Sequence, residues 1–366
     1  MPDEQTLTEF GPAEEREDMP LPHDPKTVFL GGLFLLATLA ALYVARDVIL
    51  PVAIALVLKL LLQPLVRQLE RFQVPKALGA LVCLLLLLGV IAGLGTILSN
   101  PASRMIRDLP GTLAKLQETV EPLRVFAERF QGMMGSAGMG DGAMGDPAET
   151  LKAKAGSIAG SLAAGASSFA SHLLETLLIL FYMLVFGETF MRRFVEILPR
   201  FRDKRQAVDI SGAVERDISA YLLTISIINA VVGIACAGVM WAFGVPGPLL
   251  WGVVAFCLNF VPILGPFFGI LLFTVIGLAT LGAAWSSLLP AAVYLAIHFA
   301  EGEIITPLLL AKRFTLNPIG IMVGLVFWYW MWGIQGAILS VPLLAITKIV
   351  SDRLRPFRAL GHLLEG

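Results

Sequence analysis

Charge is what this chain has least of. Aspartate, glutamate, lysine and arginine make up only 15% of its 366 residues, against about one quarter in ordinary soluble domains. None of the four occurs in residues 218–300, and none in 314–347. Uncharged apolar runs beyond about 20 residues are long enough to cross a bilayer, so a soluble globular protein is excluded. The formal net charge of −1 leaves no polybasic surface for nucleic acid, and no helix-turn-helix or RNA-binding signature is present. Cysteine is scarce as well. Cys83, Cys236 and Cys257 all lie in apolar segments and read as small buried hydrophobes, not as a disulfide framework or a metal site. A Walker sequence, a serine nucleophile elbow, HExxH and paired intramembrane aspartates are missing. ATP is therefore not the evident energy source, an enzyme is not expected, and no cofactor is called for.

What is present is apolar length. Hydrophobic residues are 57% of the chain, arranged as an all-α, polytopic integral membrane protein with about eight hydrophobic helical segments. Residues 1–27 are expected to be a disordered acidic cytoplasmic tail, carrying Asp3, Glu4, Glu9, Glu14, Glu15, Glu17 and Asp18 among prolines that include Pro12, Pro20, Pro22 and Pro25. That segment lacks the positive leading region of a signal peptide. Residues 28–98 hold three spans, 28–45, 48–66 and 77–98, the first two joined only by Arg46 and Asp47. Lys59 in the second, with Gln63 one turn on, is expected to snorkel toward water. Arg67, Arg71 and Lys76 outweigh Glu70 before the third span. Short basic loops stay in the cytoplasm, which puts the N-terminus there too.

Residues 99–150 change character. Ile106, Leu109, Leu113, Leu116, Val120 and Leu123 recur at helical spacing between charges, the pattern of amphipathic surface helices. "GMMGSAGMGDGAMGDP" follows as a flexible linker. Its four methionines suit Cu(I) by softness, but methionine is also neutral filler, and filler is the preferred reading. Residues 151–187 begin with Gly156/Gly160 and Ser161/Gly165 at small-xxx-small spacing and end as a fourth span. Residues 188–220, rich in arginine around Pro199, read as cytoplasmic charged helices. Residues 221–347 form the expected transport core, beginning with a fifth span that contains Asn229, an expected interhelical hydrogen-bonding residue. Residues 348–366, with Lys348, Arg353, Arg355 and Arg358, read as a cytoplasmic basic tail.

Within the core, segments 249–282 and 318–347 exceed the length a crossing needs. The first is interrupted by "NFVPILGPFFG" and the second by Gly333, Gln335 and Gly336. Each is either a long tilted crossing or a re-entrant hairpin. Two hairpins put Lys312 and Arg313 in the cytoplasm, the side that the positive-inside rule favours. Paired interrupted segments are the best sequence pointer to a transporter's binding site, and broken backbone at membrane depth is tolerated where it lines a cavity or is buried in protein. Asn259, Pro262, Gly265, Pro266, Asn317, Pro318, Gly333 and Gly336 are therefore the candidate substrate path. A proline kink re-satisfied by neighbouring helices is the plainer alternative. "HFAEGEIITP" gathers His298, Glu301 and Glu303, and intramembrane ionisable groups mark ion or proton paths. These three are the candidate ion-coupling residues, with Thr306 and the Asn317–Pro318 turn as further oxygen donors. No second Glu/His cluster completes a metal site. Trp328, Tyr329, Trp330 and Trp332 read as an interfacial anchor or as walls for a small ring-shaped solute.

"LNFVPILGPFFG", "EGEIITPLLLAKRFTLNPIGIMVGLVFW", "GIQGAILSVPLLAITKIVSDR" and the early "ILPVAIALVLKLLLQPLVRQLER" resemble the autoinducer-2 exporter family of bacterial permeases, over residues 28–355. The resemblance implies a multi-pass inner-membrane protein, export of an autoinducer-2-like small polar solute or sodium/proton antiport, and homo-oligomeric assembly. A lipid bilayer and a small-molecule or ion substrate are the expected partners. A scaffold that transports nothing and a passive channel are the rival readings, separable by flux and by its ion dependence.

Overall fold

The computed structural model describes residues 25–101, 103–104, 147–282, 285–306, 316–354 and 357–365, with backbone alone over 147–171. The acidic tail, most of the amphipathic and methionine-rich region, and Lys312 and Arg313 lie outside the described residues. Eight helices among the described residues are long and apolar enough to cross a membrane, as the apolar segments require. The chain divides into two compact units, Met1–Ala45 and Arg46–Gly366. The first holds α1, Pro25–Val44.

The second unit opens with α2, Arg46–Arg71, whose Pro51 sits in the first turn, where its missing donor costs little. Next comes α3, Lys76–Pro101. Two long helices follow, α4 (Pro147–Ile197) and α5 (Phe201–Ala242). The sequence reading separates a small-residue helix, a span and a pair of surface helices across 151–220. Here α4 runs from the small-residue stretch through its span to Ile197. The 42 residues of α5 make one rod of roughly 63 Å, charged at its start and apolar beyond. A change of solvent does not end a helix when no proline interrupts it, so the break falls around Pro199.

α6 (Pro248–Leu258) is 11 residues long, roughly 16 Å, or half of a bilayer core of about 30 Å. It ends at the predicted interruption, and α7 (Leu264–Leu281) departs from it. The turn brings the two halves back together, with the Trp251 and Phe273 rings 6.2 Å apart. A short 3-10 turn, Trp285–Leu288, leads into α8 (Leu289–Ala300) and then a wide π-helical turn, Glu301–Ile305. α9 (Pro318–Arg353) breaks at Gly333, where φ is 65° and ψ is −146°. Its arms also fold back: a Cβ on Gly324 would lie 3.6 Å from Leu344 Cδ1, whereas a straight helix would hold those residues roughly 30 Å apart. The C-terminal α10, Arg358–Leu363, returns onto the end of α9 through Lys348, which binds Asp352 at 3.0 Å and the Gly361 carbonyl at 3.4 Å.

Three buried clusters hold the second unit. Leu62 and Val66 of α2, Ala80 and Cys83 of α3, and Leu177, Leu180 and Leu184 of α4 form one. Leu60, Ile218, Leu222, Ala345 and Ile349 join α2, α5 and α9 in another. Met240, Trp251, Phe273 and Tyr294 join α5 to α8 in the third. Within that third cluster α5 and α6 touch backbone to backbone. A Cβ on Gly233 would lie 2.7 Å from the Gly252 carbonyl, and one on Gly252 would lie 2.7 Å from Ala237 Cβ. In lipid, where apolar surface drives no helix association, such close contact is the main source of packing energy.

Candidate functional site

The site grows from the break between α6 and α7. Leu258 ends α6 because Pro262 and Pro266 cannot continue an N–H ladder. The chain reverses through Ile263, which holds φ 64° and ψ −54°, while the Leu264 N–H donates to the Pro262 carbonyl at 2.6 Å. This is a γ-turn of the rare positive-φ kind, and a β-branched residue there is strained. Gly265 then passes so close to α6 that any Cβ would overlap the Leu258 carbonyl. Asn259, at the end of α6, donates from Nδ2 to Asn229 Oδ1 of α5 at 2.8 Å. The expected interhelical role of Asn229 is thus met, with the broken helix as its partner.

α7 and α8 run antiparallel. Gly277 packs on the Ser287 carbonyl and Gly269 on the Tyr294 hydroxyl, both too close for a side chain. Continuing that register sets His298 and Glu301 level with the 259–266 break. The π-helical turn containing Glu301 also touches α5. Rings line up through this layer: Trp251 to Phe273 at 6.2 Å, Phe273 to Tyr294 at 4.5 Å, and Tyr294 to His298 at 4.4 Å.

Polar atoms in this layer lack partners. Asn229 Nδ2, Tyr294 Oη and both ring nitrogens of His298 are buried without a hydrogen bond. His298 Nδ1 stands 3.9 Å from Glu301 Oε2, beyond hydrogen-bond reach, while Glu301 Oε1 accepts from the Thr306 hydroxyl at 2.5 Å. Each unmade buried hydrogen bond costs about 1–3 kcal/mol, so four such atoms within one layer form a set that a polar ligand can satisfy. Their donors and acceptors suit hydroxyls or a cation more than an apolar solute.

The candidate residues do not all come together. Asn259, Pro262, Gly265 and Pro266 share the break, and His298, Glu301 and Thr306 share its level. Glu303 points away and is exposed. Gly333 and Gly336 mark the apex of the α9 hairpin, whose main packing among the described residues is on α5, α2 and α10. Asn317 and Pro318 lie at the opposite end of α9. The Asn317 side chain accepts from the Ile319 N–H at 2.9 Å, capping the helix, and its own N–H donates to the Leu364 carbonyl at 3.0 Å. Those oxygens are therefore committed to the fold. Trp332 is buried, whereas Tyr329 and Trp330 face outward. Tyr294 is the site residue that sequence reasoning passed over. Its signal was a lone tyrosine one helical turn before His298 in an uncharged span.

The sequence pattern of the AI-2E family transporters matches residues 33–356, nearly the whole chain. The protein belongs to the AI-2E transporter family. It is similar to the AI-2 transport protein TqsA of Escherichia coli (strain K12), 24% identical over 350 residues that cover 93% of this chain and 95% of that protein. It is also similar to YhhT of Escherichia coli (strain K12), 26% identical over 367 residues covering 94% and 97% of the two chains. YueF of Bacillus subtilis (strain 168) is 26% identical over 306 residues, 81% of this chain and 82% of that one. The last two are named for transport with no solute stated. An AI-2E family member with eight apolar helices is a multi-pass membrane transporter, which implies a small-molecule substrate and a lipid environment.

Proposed function

We propose that this AI-2E family member is a permease of the bacterial inner membrane that exports a small polar solute of the autoinducer-2 type. The solute passes at the broken α6–α7 hairpin, and His298 and Glu301 couple its movement to H+ or Na+. One observation carries the reading: the buried, unpartnered atoms of Asn229, Tyr294 and His298 gather beside the turn that breaks α6 from α7. Broken helices whose free peptide groups meet a ligand are how secondary transporters build sites at membrane depth. The carboxylate of Glu301, with the Thr306 hydroxyl on one oxygen, offers either a proton acceptor or an oxygen pair for Na+. On this reading the hairpins re-enter, both termini are cytoplasmic, the protein is a homo-oligomer and no enzymatic step is involved.

Efflux from sealed proteoliposomes tests it, with solute, pH gradient and Na+ varied separately. Asn259→Leu removes the contact to Asn229 and places an apolar side chain at the tip; flux should vanish while inserted, assembled protein remains. Loss of folded protein instead would make Asn259 structural only. Glu301→Gln keeps the shape and removes the charge. It should abolish the H+ or Na+ dependence of flux and spare solute binding. Unchanged ion profiles in that variant would reduce Glu301 to a boundary residue, and solute-free Na+/H+ exchange by the unaltered protein would favour the antiport reading.

A further inference from the structure

A second site lies away from the broken hairpin. α2, α4, α5 and the end of α9 line an open cavity of about 620 Å³, within the usual range of small-molecule pockets, about 300–1,000 Å³. Its wall is mostly apolar, with Leu60, Phe194, Ile210 and Val350 among its lining. Beside it Gln206 Nε2 of α5 donates to the Arg353 carbonyl at the end of α9 at 2.5 Å. Lys59 is half-buried and lines this cavity, its ammonium seated where a Cβ on Gly187 of α4 would come within 2.9 Å of Nζ.

The carboxylates around Lys59 are already engaged. Glu215, which also lines the cavity, pairs with Arg67, and Glu188 pairs with Lys76 at 2.5 Å. Asp203 lines the cavity from the first turn of α5, roughly 18 Å along that helix from Glu215. Among the described residues Lys59 has no close ion pair of its own, because Glu215 and Glu188, the carboxylates that attract it, each hold another cation. Holding the Lys59 charge away from water is costly unless an anion meets it. The apolar wall beside it has no comparable need for polar groups.

We propose that this cavity binds an amphiphilic organic anion, its acid group on Lys59 and its apolar body against Leu60, Phe194, Ile210 and Val350. The acid group is that of a membrane lipid or of a free organic acid, and the two sources are separable.

The test uses the full chain purified in a neutral maltoside detergent. Decanoate, with decanol as the uncharged control, is titrated by calorimetry, and retained phosphatidylglycerol is read by native mass spectrometry. Decanoate or phosphatidylglycerol should bind saturably and decanol should not. Lys59→Gln should weaken that binding roughly tenfold or more, whereas Lys59→Arg should keep it. Ala207→Trp fills the cavity without touching the charge and should also abolish it. Phosphatidylglycerol retained by the unaltered protein and lost in Lys59→Gln identifies a lipid as the source. Decanoate binding without retained lipid identifies a free acid. If Lys59→Gln fails to fold, Ala207→Trp and the preference for decanoate over decanol decide. The proposal is overturned if decanol binds as well as decanoate, or if neither anion distinguishes the unaltered protein from the variants.

Discussion

The two interrupted helices are alike in sequence and differ in what surrounds the interruption. Between α6 and α7 the chain breaks at a cluster of asparagine, prolines and glycines, turns through a strained Ile263, and is held by Asn229 of a neighbouring helix. Inside α9 a single glycine does the reversing, and its apex carries exposed Trp330 and Ile334 beside buried Met331. Both hairpins close because a glycine lets one arm pass the other, Gly265 at the Leu258 carbonyl and Gly336 at the Trp328 carbonyl. Among the described residues the α9 apex has one unpartnered buried polar atom, Trp332 Nε1, whereas the level of the first break gathers four, from Asn229, Tyr294 and His298. A break in a membrane helix is therefore a matter of backbone chemistry, and whether it makes a site depends on the helices packed around it.

That comparison can be broken at its shared element first. Gly265→Ala and Gly336→Ala each force a Cβ into a carbonyl oxygen of the opposite arm. Each should destabilise by about 3 kcal/mol, the upper end of overpacking costs, read as an early thermal unfolding midpoint in detergent. Tolerance of Gly336→Ala alone would mean that α9 does not close on itself as tightly as the α6–α7 pair.

The next effect separates the two turns. Gly333 occupies a backbone region that only glycine enters freely, with open space around its missing Cβ. Gly333→Ala should therefore cost about 2 kcal/mol from backbone strain alone, without the contact penalty of Gly265→Ala. A null result on the same thermal assay would show that the α9 apex relaxes to another turn.

The smallest effect has the opposite sign. Ile263→Gly removes a β-branched side chain from positive φ and should stabilise the protein by about 1 kcal/mol. In the same protein efflux should fall, because a freer tip no longer holds Asn259 and the polar atoms beside it in one arrangement. A more stable variant with undiminished efflux would show that the strain at Ile263 has no part in transport.

Much of this molecule is written in its composition. The spans follow from the absence of charge over residues 218–300 and 314–347, since a bilayer leaves a polar backbone no choice but helix. The location of the breaks follows from Pro262, Gly265, Pro266 and Gly333, because proline lacks a donor, Gly265 lets the two arms pass closely and Gly333 tolerates the φ of its reversal, whereas the positive φ of Ile263 left no such signal. The family was legible in the same motifs. Helix ends within 151–220 were less so, because a shift from apolar to charged residues changes the solvent of a helix without interrupting it.

Only the tertiary structure decided which of these residues meet. It paired Asn259 with Asn229, brought Tyr294 against Gly269, and set His298 and Glu301 level with one break while leaving Gly333 and Asn317 elsewhere. It also placed Lys59 on the wall of a cavity whose nearby carboxylates hold other partners. The reason is physical. Backbone rules act between neighbours in the chain and can be read locally, whereas a site is made by side chains from separate helices, and their meeting depends on how Gly233 and Gly252 let α5 and α6 approach, and on the antiparallel register of α7 on α8.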